Sequence, residues 1–154
     1  LGVIKPNFEH AAFDCGRAVM LTQLMSRFVQ DARQNRIFLA EEDLQSCEIE
    51  IQRLKLGKST PTLKHLVRLY CWRIEKLLNS GSQLLGHLDY DGRRTVTSLL
   101  GWTWKTMNQM RINPDSILTD SGVLTRQDMF RLKAKHVLGL EGNLPFEVGS
   151  GTHH

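Results

Sequence analysis

Residues 60–81 read TPTLKHLVRLYCWRIEKLLNSG, and this stretch decides the fold class. Thr60 followed by Pro61 is a helix N-cap with proline at the first helical position, where the missing N–H costs nothing. Leu63, Leu66, Val67, Tyr70, Ile74, Leu77 and Leu78 then recur at spacings of three and four, which puts them on one side of an α-helix. Gly81 is expected to end or kink this helix, and Leu84, Leu85 and Leu88 to continue its burial.

Working toward the N-terminus, residues 41–56 predict a second helix with Leu44, Cys47, Ile51 and Leu54 on one side. Glu41, Glu42 and Asp43 suit the positive end of its dipole, Arg53 and Lys55 the negative end, and Gly57 the position just past it. Before it, residues 8–34 predict a long helix with Asn7 as N-cap and Gly16 as a weak point. Its apolar positions include Ala11, Ala12, Cys15, Val19, Met25, Phe28, Val29 and Ala32, and Met20, Leu21 and Leu24 widen the stripe past half the circumference. A helix that apolar belongs in the middle of a bundle.

Toward the C-terminus, Asp89-Tyr90-Asp91-Gly92 reads as a turn, and a helix follows over 93–111 with Val96, Leu99, Leu100, Thr103, Met107 and Met110 inward. Asn113-Pro114-Asp115-Ser116 stops it, and residues 117–124 fit a short hairpin or a loop. Thr125 to Asp128 has capping-box spacing and predicts a last helix over 126–138, followed by an extended tail with Pro145. The expected architecture is an all-α, single-domain bundle of about five helices spanning 1–148, cut from a longer protein. Residues 149–154, ending in two histidines, read as a linker and tag remnant.

The chain has 154 residues, 41% hydrophobic and 23% charged, which suits one soluble domain and excludes a disordered or collagen-like chain. Charges interrupt every apolar run, so no membrane association is expected, and Leu1 is followed by no leader pattern. Cys15, Cys47 and Cys71 are odd in number and widely spaced, which predicts reduced thiols, no metal and an intracellular setting.

Chemistry-bearing motifs are scarce. Phosphate loops, nucleophile elbows and zinc-protease signatures do not occur in the sequence. His10 and Asp14 fall four apart on one helix, the spacing of a surface pair. His87, Asp89 and Asp91 resemble the opening of a calcium loop, but the twelfth position counted from Asp89 is Leu100 rather than the required Glu. A turn capped by aspartate explains these residues, and a carboxylate–histidine enzyme centre is the lesser alternative. The expectation is therefore no enzyme, no catalytic residue and no cofactor.

Charge is distributed unevenly. Residues 1–50 hold five Lys/Arg and eight Asp/Glu, whereas 51–140 hold fifteen and six. Trp102 and Trp104 lie two apart on one helix and cannot share a core face, and Trp72 falls beside Arg68 and Lys76 rather than on the seam. An aromatic and basic face built from Arg68, Trp72, Arg73, Lys76, Trp102, Trp104, Arg131 and Lys135 is thus expected to bind a partner. A protein partner suits Trp and Arg anchors, which predicts a non-enzymatic scaffolding domain of a larger assembly, with homo-oligomerisation open. RNA or single-stranded DNA is the alternative ligand of that face. The run Arg68-Leu-Tyr70-Cys-Trp-Arg73-Ile74-Glu-Lys76-Leu77 is loosely similar to the helical domains of the GINS replication-factor subunits, a resemblance over about ten residues that implies a replication scaffold.

Overall fold

The computed structural model describes residues 6–119. The predicted helix over 126–138, the segment 120–124, the tail and residues 149–154 lie outside the described residues. Among the described residues there is no strand. The described residues form five α-helices: α1 (Pro6–Arg33), α2 (Glu41–Ser46), α3 (Ile51–Lys55), α4 (Pro61–Gly81) and α5 (Tyr90–Ile112). Two 3₁₀ turns, Ser82–His87 and Pro114–Leu118, follow α4 and α5. The fold class read from periodicity is borne out.

Helix α1 is the hub, packing on α3, α4, α5 and both 3₁₀ turns. Its buried side carries Ala11, Cys15, Ala18, Thr22, Met25, Val29 and Ala32, mostly small residues that let α4 come close. At the tightest point a Cβ on Gly81 would stand 2.8 Å from the Cα and N of Cys15. Helix α4 ends at Gly81, as expected, and the same residue is a helix–helix contact. Its backbone is helical (φ −65°, ψ −27°) and the chain runs straight into the 3₁₀ turn. Gly16, the other suspect glycine, faces open space and does not interrupt α1.

The helix expected over 41–56 is broken in two. Cys47 to Glu50 separate α2 from α3, with Glu48 in the left-handed region at φ 52°. The reason lies in the two ends of the segment, which are tied to different partners. Asp43 of α2 is clamped to α4, while Arg33 Nε donates to the Lys55 carbonyl (3.3 Å) and Lys55 Nζ donates to Asn35 Oδ1 (2.7 Å) at the end of α1. Gly57 closes α3 at φ 67°, as its sequence position predicts.

Two starts also shift. Helix α1 begins at Pro6, ahead of the expected cap at Asn7. Helix α5 begins at Tyr90 because Asp89 Oδ1 accepts from the Gly92 N–H (2.8 Å), so the predicted turn is the first turn of the helix. The stretch expected as a hairpin or loop from Ile117 onward is 3₁₀ through Leu118, and its Ile117 is fully buried.

Candidate functional site

Sequence reading placed α1 inside the bundle, surrounded by apolar neighbours. The structure gives it two unlike sides. Opposite the α4 contact, Phe13 is 74% exposed and Met20 50% exposed. Along this second side, where the last turns of α1 approach α5, the surface sinks into a groove of about 500 Å³. Gln23, Leu24, Ser26, Arg27 and Asp31 of α1 line it on one side. Arg36 and Phe38, from the loop after α1, and Trp102 of α5 complete it.

The loop geometry places Arg36. Its backbone N–H donates to the Asp31 carbonyl (2.9 Å), as does the Gln34 N–H (3.0 Å), so the chain turns back over the last turn of α1. This brings the Arg36 guanidinium to Asp31, with Nη2 at 3.3 Å from Oδ1, and also to Gln34 Oε1. Asp31 is buried by this arrangement although it lies on the open side of α1. Arg27 lies one turn earlier, exposed, and no described carboxylate is within ion-pair reach of it. Leu24, Phe38 and Trp102 supply the apolar wall. Such a lining suits a ligand with an anionic end and an apolar body.

A second polar cluster joins α2 to α4. Asp43 takes two bonds from Arg73, Nη1 to Oδ2 at 2.5 Å and Nη2 to Oδ1 at 2.8 Å, and one from Tyr70 Oη at 2.8 Å. The Arg73 bonds hold the Asp43 carboxyl below its ordinary range. Burial, with the neighbouring carboxylate, pushes the Tyr70 hydroxyl up to about 12. Every partner is internal, so this is a clamp. A cavity of about 580 Å³ lies nearby between α2, α3 and the start of α4, with Glu41, Glu48 and Glu50 set against Arg53 and Lys58.

Among the described residues no three His, Cys, Asp or Glu side chains converge to hold a metal. His10 and Asp14 make the predicted pair, Nδ1 to Oδ2 at 3.1 Å, but Asp14 is buried and also accepts from Ser80 Oγ of α4 (2.5 Å). Asp89 is the N-cap of α5.

Six of the expected partner-binding residues lie among the described ones. Arg73 is taken up by the clamp, and Trp104 packs against the core. Trp102 lines the groove. Trp72 is 53% exposed on α4 with Lys76 Nζ 3.8 Å from its ring centre, and Arg68 is exposed on the same helix. Arg131 and Lys135 lie outside the described residues. The groove residues Arg27, Asp31 and Arg36 escaped the sequence reading. One signal was available: Arg27 and Asp31 fall four apart within an apolar helix, on the side of Leu24 rather than opposite it.

The described residues form an all-α fold with a groove where α1 meets α5. The chain belongs to the squalene/phytoene synthase family, whose model matches residues 1–129. No curated protein and no solved structure matches it. That family consists of isoprenoid biosynthesis enzymes with an all-α domain. The match overturns the expectation of a non-enzymatic scaffolding domain, and with it the nucleic-acid alternative and the replication-scaffold role implied by the GINS resemblance. The error has a physical source. Aromatic rings and cations left over after filling an idealised core were all assigned to a docking surface, whereas Arg73 and Trp104 are used inside the fold and Trp102 lines a pocket.

Proposed function

We propose that this chain serves isoprenoid synthesis by binding a polyprenyl diphosphate in the groove between α1 and α5. Squalene and phytoene are long branched hydrocarbons, and the activated form of such a chain is its diphosphate ester, with a polyanionic head on an apolar tail. The observation that carries the reading is the composition of the groove in a member of this family. Arg27 and Arg36 stand beside Leu24, Phe38 and Trp102 in one concavity.

The chemistry follows from these groups. Loss of diphosphate from an allylic ester leaves charge on the departing phosphates and a carbocation on the chain. Guanidinium groups fixed at the head stabilise the first, because charge-assisted forks to phosphate are the strong hydrogen bonds. An indole face stabilises the second by cation–π attraction. Trp102 is the indole that lines the groove, and Phe38 adds a second ring.

Titration with geranylgeranyl diphosphate, followed by isothermal calorimetry, tests this. Saturable one-to-one binding that is weakened about ten-fold or more in Trp102→Ala is expected, with inorganic diphosphate binding more weakly than the ester. Equal affinity of the wild type and Trp102→Ala contradicts the placement. The buried free thiols at Cys15, Cys47 and Cys71 support an intracellular setting. Among the described residues no helix is long and apolar enough to cross a membrane.

A further inference from the structure

Two ways of holding a diphosphate through side chains differ in the charge they require. Carboxylates can bind Mg²⁺, which in turn binds the phosphate oxygens. Alternatively, arginine forks can bind those oxygens directly. The two designs need opposite side chains, so the lining of a groove distinguishes them.

Asp31 is the one carboxylate among the described residues that line this groove. Its side chain is only 10% exposed, and Oδ1 is engaged by Arg36. Asp14, the other buried carboxylate of α1, is bonded to Ser80 and His10. Of the carboxylates that follow Arg36 in sequence, Asp43 is in the clamp and Glu41 lines the cavity beside α3. No described cluster of three potential ligands exists. Among the described residues of the groove, a divalent cation bridging to phosphate would find a single ligand, recessed and already paired.

The cationic side is better supplied. Arg27 has no described carboxylate partner. Arg36 has five N–H donors, and its contacts to Asp31 and Gln34 both use Nη2, which leaves Nη1 and Nε to bind elsewhere. Asp31 and the Arg36 N–H bond to the Asp31 carbonyl together fix that guanidinium over the last turn of α1. Asp31 thus acts as a positioning residue for Arg36.

We infer that the groove grips the diphosphate head by direct arginine forks from Arg27 and Arg36, with Asp31 orienting Arg36 and with no divalent cation between protein and phosphate. This rests on the groove being the polyprenyl diphosphate site.

The test is a calorimetric titration of the full chain with geranylgeranyl diphosphate, once in EDTA and once in Mg²⁺, repeated on Arg27→Gln, Arg36→Gln and Asp31→Asn. The dissociation constant is expected to agree between the two buffers within about two-fold. Each arginine substitution should weaken binding about ten-fold or more. Asp31→Asn, which would remove an essential metal ligand under the alternative design, should keep binding within about five-fold. Circular dichroism melts accompany each variant, so that a loss counts only where the fold persists. Binding that appears only in Mg²⁺ overturns the direct grip while sustaining the groove as the site. Binding in neither buffer overturns both. Binding unaffected by both arginine substitutions overturns the grip even if EDTA has no effect.

Discussion

Helix α1 presents two sides of one sequence to two environments. Toward α4 it shows Ala11, Cys15, Ala18, Met25 and Val29, all buried, and the helices approach until Gly81 has no room for a methyl group. Away from α4 it shows Phe13 and Met20, both exposed, and then Arg27 at the groove. Both sides carry large apolar residues, so hydrophobicity alone does not tell them apart. Residue size does, because the sealed side carries alanine and cysteine where it crosses Gly81 of α4. The open side interrupts its apolar run with charge. The first side is packed into the core, and the second is open at the groove.

The same substitution made on both sides gives the largest contrast. Met25→Ala removes a fully buried side chain and should cost about 2–5 kcal/mol in urea unfolding. Met20→Ala, on the half-exposed side, should stay within about 0.5 kcal/mol. Similar losses at the two positions would mean that the open side is covered and that the distinction is false.

Next in size is Gly81→Ala, which forces a Cβ to within 2.8 Å of the Cys15 backbone. Overpacking there should cost about 1–3 kcal/mol by the same measurement. An unchanged midpoint would show that α1 and α4 can slide apart without penalty.

A smaller effect sharpens the sealed side at the α2–α4 clamp. The folded-state pKa of Asp43 lies below its unfolded value, so the unfolded chain binds the additional proton. The contribution is complete above the ordinary carboxylate range near ~3.9 and is lost as pH falls through the lower folded value. For Tyr70 the sign reverses, since its folded value is raised. Stability should fall as pH rises from about 10 toward the folded value of about 12. Urea midpoints should therefore decline at both extremes, with the acid decline reduced in Arg73→Gln and the alkaline decline reduced in Tyr70→Phe.

The smallest effect on stability belongs to the open side. Arg27→Gln should leave the melting temperature within about 1 °C, because the side chain is exposed and unpaired among the described residues.

How much of this the sequence displayed depends on the range over which each feature is encoded. The Thr60-Pro61 cap, the α4 seam, Gly57 and the acidic first turn of α2 are local, and each is where its residues predict. The break at Cys47–Glu50 is not local, since it follows from Asp43 reaching α4 while Lys55 reaches the end of α1. Leu99 was expected inward yet is 40% exposed, because α5 turns that position away from the core. The groove was the least legible feature of all. Arg27 and Asp31 share a helix, but Arg36, Phe38 and Trp102 join them only through the fold of a loop and the approach of α5.

Hydrogen exchange of the full chain, with and without saturating geranylgeranyl diphosphate, tests the division of labour between the two sides most directly. Amides around residues 23–38 and 99–105 should gain protection, while those over 62–78 of α4 should be unchanged. Protection centred on α4 around Arg68 and Trp72, with none near Arg27 or Trp102, would contradict it.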